Sequence, residues 1–177
     1  MKTDSRPAFT LIEMIIAITV FTIFIGFSLS TYLVFHRANQ DALTVRSMVM
    51  DTELLMDELL DAVRENRIDY TDFVEGKTLR LVSPDGLESK EYTWDADAET
   101  LSVTSGDSTA ILHSEDLKIT YLNFDVFPDQ NPYADRSKDD IQYQPIVMID
   151  LRVSRLGHMD EELSFDLRSS ITSRFYQ

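Results

Sequence analysis

The chain has 177 residues, 44% hydrophobic and 27% charged, which suits one domain with a buried core plus one additional element. Its formal charge of −15 disfavours a broad basic face, so we expect no direct nucleic-acid partner. The absence of cysteine excludes disulfides, thiolate metal ligands and cysteine nucleophiles.

The N-terminal segment combines a short basic tail with a long apolar run. Lys2 and Arg6 precede residues 14–35, which contain no charged side chain. Because a helix of about 20 apolar residues spans a bilayer, this run predicts a transmembrane helix. The positive-inside rule places the tail in the cytoplasm, so the large C-terminal part is expected outside the cytoplasmic (inner) membrane.

Glu13 is the unusual residue of this segment. An ionised carboxylate inside a membrane helix costs about 2.5–3.5 kcal/mol on insertion scales and normally marks a partner or a function. Proteolysis just before Phe9 would create a cation at a similar depth, an α-amino group four residues from Glu13.

The stretch "AFTLIEM", Ala8 to Met14, resembles the processing site of type IV pilins and type II secretion pseudopilins. The resemblance implies that a prepilin peptidase cuts between Ala8 and Phe9 and that Phe9 is then N-methylated. It also implies that Glu13 pairs with the N-terminal amine of a neighbouring subunit in a helical filament. The implied partners are other pilin or pseudopilin subunits, the prepilin peptidase, the inner-membrane assembly platform and, before assembly, membrane lipid. Ala8 occupies a position where the family usually has Gly.

Two simpler interpretations of this segment compete with processing as a pilin. One is a secretory signal peptide cleaved after Ser28-Leu29-Ser30, although its apolar core would exceed the usual 7–15 residues and would contain Glu13. The other is a plain single-pass anchor.

Beyond Arg37 the pattern is amphipathic. Apolar residues recur at spacings of three and four, with charged residues between them, and neither Pro nor Gly interrupts residues 38–67. One helix is therefore predicted from about Phe9 to about Asn66. Its expected apolar stripe consists of Val45, Met48, Val49, Thr52, Leu55, Met56, Leu59 and Val63.

The remainder of the chain has the pattern of β-strands joined by turns such as Pro84-Asp85-Gly86. Expected strands are residues 77–83, 90–94, 100–105, 109–114, 117–127, 145–156 and 162–174, with a polar surface loop at 128–144. The fold class is thus α+β, a long N-terminal helix packed on an antiparallel β-sheet domain. The expected parts are a leader (1–8), a transmembrane and filament-core helix (9–36), an amphipathic helix (37–67) and the β domain (77–177).

The sequence offers little that indicates catalysis. His36, His113 and His158 are scattered, and no phosphate-binding loop or nucleophile–base spacing occurs. We expect no enzyme activity. Tyr92, Trp94, Tyr121, Phe124 and Phe127 fit core positions of strands better than an aromatic binding surface.

A calcium site is the one cofactor the sequence suggests, and otherwise none is expected. Calcium is bound by several oxygen ligands from flexible loops. The polar loop carries five such residues, whose alternative interpretation is plain solvent exposure: Asp129, Asn131, Asp135, Asp139 and Asp140.

The resemblance to pilins and pseudopilins implies a structural subunit of a type IV pilus or type II secretion pseudopilus. The chain length, the long loop and the final "LRSSITSR" resemble minor pilins and J-type pseudopilins. The alternative is a membrane-tethered extracytoplasmic binding module that never polymerises. Glu13 discriminates the two, because a tether has no use for a carboxylate in its span.

Overall fold

The computed structural model describes residues 9–71, 76–132, 144–157 and 161–173. The chain divides into two compact units, residues 1–43 and residues 44–177. A single helix, α1, spans Leu11–Glu65 and therefore contributes to both units. Its bounds agree with the predicted helix, and just after its end the Asn66 side-chain amide donates a 2.8 Å hydrogen bond to the Ala62 carbonyl.

In the second unit, α1 buries one stripe of side chains. The spacing of three and four residues places them on one face, as an amphipathic helix requires. Of the expected stripe, Val45 is still 40% exposed. The buried residues of the helix are Met48, Thr52, Leu55, Met56, Leu59, Ala62 and Val63.

Five strands form one antiparallel sheet, in the order β1-β2-β3-β4-β5. The predicted turn between β2 and β3 is present, and Gly86 there adopts a φ of 74°, which glycine tolerates without strain. The two-residue strand β1 was not predicted, because so short a segment has no pattern of its own. The strands are β1 Arg67–Ile68, β2 Thr78–Val82, β3 Ser89–Asp95, β4 Thr100–Ser105 and β5 Ser108–Ile111.

The remaining strands form a second antiparallel sheet, in the order β6-β7-β8. A register shift between Ile119 and Tyr121 interrupts the β6–β7 pairing, whereas β7 and β8 pair without a shift over eleven residues of each strand. The strands are β6 Lys118–Phe127, β7 Ile146–Leu156 and β8 Glu162–Thr172.

The α+β fold prediction is confirmed, with the strands distributed over two sheets. The sheets meet at Gly76 and Phe124, whose main chains exchange hydrogen bonds of 2.9 and 3.2 Å. The indole N–H of Trp94 also donates to the Ile119 carbonyl at 2.9 Å. One core therefore includes side chains from both sheets and from the buried stripe of α1.

Candidate assembly site

The first turn of α1 contains a reciprocal pair of hydrogen bonds between Thr10 and Glu13. The Thr10 backbone N–H and hydroxyl donate to Glu13 Oε2 at 2.8 and 3.0 Å, and the Glu13 N–H donates to Thr10 Oγ1 at 3.4 Å. This is a capping box, in which a threonine before the helix and a glutamate three residues later satisfy each other's N–H groups. The "TLIE" stretch thus explains both where the helix begins and how Glu13 is oriented.

The capping box leaves part of the Glu13 carboxylate available. Both Thr10 bonds end on Oε2, and no described residue bonds to Oε1. Phe9, directly before the cap, is 82% exposed. Thr10 therefore orients the Glu13 carboxylate through Oε2, and Oε1 has no partner among the described residues. A cation brought to this end of the helix could bind to Oε1.

The rest of the first unit has the surface of a membrane or filament-core helix. Its large hydrophobic side chains are exposed, from Leu33 at 44% upward. Three threonines within the apolar run satisfy their hydroxyls inside the helix, since Thr19, Thr22 and Thr31 donate to carbonyls four residues earlier at 2.8–3.0 Å. By length and composition α1 is sufficient to cross a membrane.

The expected processing site is only partly within the described residues. Ala8 lies outside them, whereas Phe9 lies two residues before α1 and Glu13 lies in its first turn. Cleavage before Phe9, its N-methylation and the assembly role of Glu13 stay predictions.

The calcium prediction also stays untested. Asp129 and Asn131 belong to the described residues, and Asp135, Asp139 and Asp140 lie outside them. Among the residues with described coordinates, no group of three or more His, Asp or Glu side chains is arranged to hold a metal ion.

The aromatic residues divide between core and surface. Tyr92 and Phe124 are buried, as expected, and burial raises the pKa of the Tyr92 phenol to about 12. The core prediction is wrong for Tyr121 and Phe127, which are 46% and 59% exposed. Both lie three residues from Phe124, and an odd spacing places side chains on opposite faces of a strand.

Of the three histidines, His113 has both ring nitrogens engaged. Its Nε2 accepts from the Leu101 N–H at 3.2 Å, and its Nδ1 donates to the Ser114 carbonyl at 2.9 Å. His36 stacks on Tyr32 with ring centroids 6.1 Å apart, and His158 lies outside the described residues. The environment of His113 is that of a structural residue.

Sequence reasoning missed a buried cation, Arg155, at the end of β7. Its side chain is 7% exposed, and its Nη2 donates to Asp51 Oδ2 at 2.6 Å and to Ser114 Oγ at 3.2 Å. Nη1 donates to Ser47 Oγ at 2.9 Å, and Nε lies 3.2 Å from Asp116 Oδ2. Arg155 therefore joins α1, the β5–β6 connection and β7, which explains how an arginine is tolerated in this position.

The outer face of the second sheet carries two cross-strand ion pairs. Arg152 Nε and Nη2 donate to the two oxygens of Asp166 at 2.6 and 3.0 Å, and Arg168 makes the corresponding pair with Asp150. The hydrogen bond from Arg152 is the main reason why the pKa of Asp166 is lowered. The charges alternate in sign along β7 and along β8.

Comparison with known proteins gives one result. The family model of the prokaryotic N-terminal methylation motif matches residues 5–29, a range that includes the predicted cleavage site, Glu13 and more than half of the apolar run. Neither the curated proteins nor the solved structures contain a match to the chain.

Proposed function

We propose, from the type IV pilin and pseudopilin signature that this chain carries at residues 5–29, that it is a minor pilin or a J-type-like pseudopilin. The motif supports a pilin-like subunit with prepilin processing, anchored in a membrane through its apolar helix and assembled with other such subunits. The signature is that of a structural family, and the role proposed here is structural. The chain would serve a type IV pilus or a type II secretion pseudopilus.

The observation that carries the proposal is the hydrogen bonding of the Glu13 carboxylate. Within the bilayer its carboxylate is partly satisfied by Thr10, through the 2.8 and 3.0 Å hydrogen bonds to Oε2. Removal of the leader before Phe9 would create an α-amino group, which N-methylation leaves cationic. In a filament this cation of one subunit would neutralise Glu13 of its neighbour, a charge pair that is strong at low dielectric.

The steps of processing and assembly would follow from this charge pairing. The basic tail with Lys2 and Arg6 holds the N-terminus in the cytoplasm, where the peptidase cuts between Ala8 and Phe9. The inner-membrane assembly platform then transfers the subunit from lipid to the filament. Residues 9–35 exchange lipid for apolar side chains of neighbouring subunits, and the Glu13 pair sets the register.

Mass spectrometry of the N-terminal peptide, on protein from its native membrane, tests the processing step. We expect a chain that begins at methylated Phe9. A chain that begins at Thr31 would mean an ordinary signal peptide, and an intact Met1 would mean a tether; both outcomes contradict the proposal.

A pair of variants tests the assembly step. Glu13→Ala is expected to remain in the membrane and to be depleted at least about tenfold from sheared filaments, because its neighbour's amine then lacks a partner worth 1.4 kcal/mol or more. Thr10→Val is the matched control, since it removes the hydroxyl of the capping box and keeps the carboxylate. Its incorporation should fall much less than that of Glu13→Ala.

Absence of the wild-type chain from sheared filaments would favour the alternative, a membrane-tethered extracytoplasmic module that never polymerises. Equal incorporation of the Glu13→Ala variant and the wild type would contradict the assembly role of Glu13. Calcium bound by the loop of Asp129 and Asn131 is a separate proposal. Isothermal titration of the full chain with calcium tests it, and the absence of heat would contradict it.

A further inference from the structure

One edge of the second sheet is long and open. Strand β8 pairs with β7 over eleven residues without a register shift. Within the described part of the chain, no strand pairs with its other side. In the first sheet the edge strands β1 and β5 have only two and four residues. The β8 edge therefore offers an unusually long row of main-chain groups to a partner.

The β7–β8 hydrogen bonds determine which main-chain groups of β8 face this open edge. The Gly157 N–H donates to the Glu161 carbonyl at 2.7 Å, and the Ser173 N–H donates to the Pro145 carbonyl at 3.3 Å. Hydrogen-bonded pairs alternate along an antiparallel ladder, so the odd-numbered residues of β8 bond to β7. The N–H and C=O groups of its even-numbered residues, from Glu162 to Thr172, therefore point outward.

This edge lacks the features that usually prevent strands from pairing with other chains. Proteins protect long edges with Pro, Lys, bulges or inward-pointing charges, and β8 has none of these. Four apolar side chains on its inner face are only half-buried against the core: Leu163, Phe165, Leu167 and Ile171. An added strand would therefore satisfy main-chain groups and cover apolar side chains at the same time.

The direction of α1 decides whether a second copy of this chain can be that strand. Near the start of β8, Arg155 of the neighbouring strand donates to Ser47 and Asp51 of α1. Just after the end of β8, the Ser173 hydroxyl donates to the Asn66 carbonyl at 2.8 Å. This part of α1 thus runs in the same direction as β8. Antiparallel pairing of two β8 edges would point the two helices in opposite directions, which two chains anchored in one membrane cannot do. A strand of a different protein has no such restriction.

Strand β7 shows which side chains fit beside β8. Its acid Asp150 lies opposite Arg168. Two residues later, its base Arg152 lies opposite Asp166. Asp166 and Arg168 remain 66% and 78% exposed, so each can contact an opposite charge from the open side as well.

We propose that the open edge of β8 binds an antiparallel strand of a different protein outside the membrane. Apolar residues occupy alternate positions of this strand and continue the inner face of the sheet. On the outer face, an acid of the strand lies opposite Arg168, and a base two residues later lies opposite Asp166. Such cross-strand pairs of unlike charge are favourable.

The charges also select the register of the added strand. A shift by two residues would place the partner's base opposite Arg168 or its acid opposite Asp166. Like charges directly opposite each other are destabilising. A shift by one residue would move every apolar side chain of the partner to the outer face. The edge therefore favours one register of a strand with this pattern.

A synthetic peptide with the β7 sequence, residues 146–156, is a suitable probe because it carries this pattern and has no membrane anchor. Lysines added at both ends keep it soluble. Fluorescence anisotropy of the labelled peptide measures its binding to the full chain in detergent micelles, and empty micelles give the background. We expect saturable binding above that background. Its absence would overturn the inference.

Two doubly N-methylated peptides are the matched controls. Methylation at Arg152 and Ser154 removes N–H groups that would face β8, whereas methylation at Leu151 and Val153 removes N–H groups that would face away. We expect the first peptide to bind at least about tenfold more weakly than the unmodified one, and the second to bind about equally well. Equal affinity of the two methylated peptides would contradict pairing at the open edge. The reverse order would also contradict it, since it would mean that the peptide had replaced β7.

A substitution in the full chain tests the edge itself. Ser170→Pro removes an outward N–H without removing a β7–β8 hydrogen bond, a position in which edge strands tolerate proline. Ser170→Val keeps the N–H and is the matched control. The peptide should bind Ser170→Pro at least about tenfold more weakly than the wild type and Ser170→Val about as well. Trp94 fluorescence verifies that both variants are folded, and unchanged affinity for a folded Ser170→Pro variant would overturn the inference.

An exchange of two charges within the peptide tests the proposed chemistry of the partner. A peptide with Asp150→Arg and Arg152→Asp has the same composition but places like charges opposite Arg168 and Asp166. Its affinity should be about two- to fivefold lower than that of the β7 sequence. Equal affinity of the two peptides would show that the edge does not select the partner by this charge pattern.

Discussion

The two units of this chain place their apolar side chains in opposite environments. In the first unit, Phe9, Phe27 and Phe35 are 72–82% exposed, whereas in the second Leu59, Phe124 and Val153 are 0% exposed. Both units are rich in large apolar side chains, but only the second unit buries them in a core of its own. The difference indicates that the first unit finds its apolar neighbours outside the chain, in lipid or in other subunits.

Truncation of one leucine to alanine in each unit is expected to give the largest difference in the free energy of unfolding. Leu59→Ala is expected to lower the free energy of unfolding of the second unit by about 2–5 kcal/mol, because it removes buried contacts and leaves a cavity. Leu29→Ala, at a position 57% exposed, should change that free energy by less than about 0.5 kcal/mol. Urea unfolding of the full chain in detergent micelles measures both.

The single tryptophan makes this measurement specific to the second unit. Trp94 is half-buried, and its indole N–H bonds to the Ile119 carbonyl, so its fluorescence should change when the two sheets separate. A similar loss for Leu29→Ala and Leu59→Ala would contradict the comparison, since it would mean that the first unit packs on the core.

Two arginines of the second unit allow a buried ion pair to be compared with an exposed one. We expect a smaller difference in the free energy of unfolding than for the two leucines. Arg155→Met should lower the free energy of unfolding by about 1–3 kcal/mol, because Asp51 and Asp116 lose a buried partner and keep partial access to water. Arg152→Met is the matched control. Its ion pair with Asp166 is exposed and screened by solvent, so we expect a much smaller loss of stability than for Arg155→Met.

Trp94 fluorescence during urea unfolding measures the free energy of unfolding of both arginine variants. If Arg152→Met were as destabilising as Arg155→Met, the burial of Arg155 would not account for its contribution.

Local patterns were sufficient to predict most of the fold. The helix is defined by an apolar run, an amphipathic stripe and the absence of breakers, and the longer strands are defined by alternation and turn residues. The capping box was present in the "TLIE" spacing, but the prediction considered only the charge of Glu13 and not its hydrogen bonds with Thr10. Its position as the third helical residue was the signal that identifies the box.

Features that depend on contacts between distant residues were not predictable in this way. The shift at Ile119 and Tyr121 changes which side chains of β6 face the core. In the sequence, Tyr121 obscures the change from the odd-numbered apolar positions Leu117 and Ile119 to the even-numbered positions that follow. Arg155 has the pattern of one more exposed strand residue, and only its contacts with Asp51 and Ser47, over a hundred residues earlier, make its burial tolerable. The division of the strands into two sheets is similarly non-local.

Tyr92 gives a pH-dependent test of the enclosed core. Burial is the main reason why its pKa is raised to about 12, with a smaller contribution from the negative charge of Glu58. In the unfolded chain a phenol loses its proton near pH 10. Below pH 10 both states are protonated and the stabilisation is complete; above pH 10 the unfolded state loses the proton first, so the free energy of unfolding falls until about pH 12.

The expected loss over this range is on the order of 2 kcal/mol, at about 1.4 kcal/mol per pKa unit. Urea unfolding in micelles at closely spaced pH values would show it as a slope that Tyr92→Phe removes. Other groups also titrate in this range, and the difference between wild type and variant cancels their contribution. An identical slope in the Tyr92→Phe variant would mean that the phenol is as well solvated in the folded state as in the unfolded chain. In that case the enclosed core would not extend to β3, and the contrast between the two units would be smaller than the burial of Tyr92 indicates.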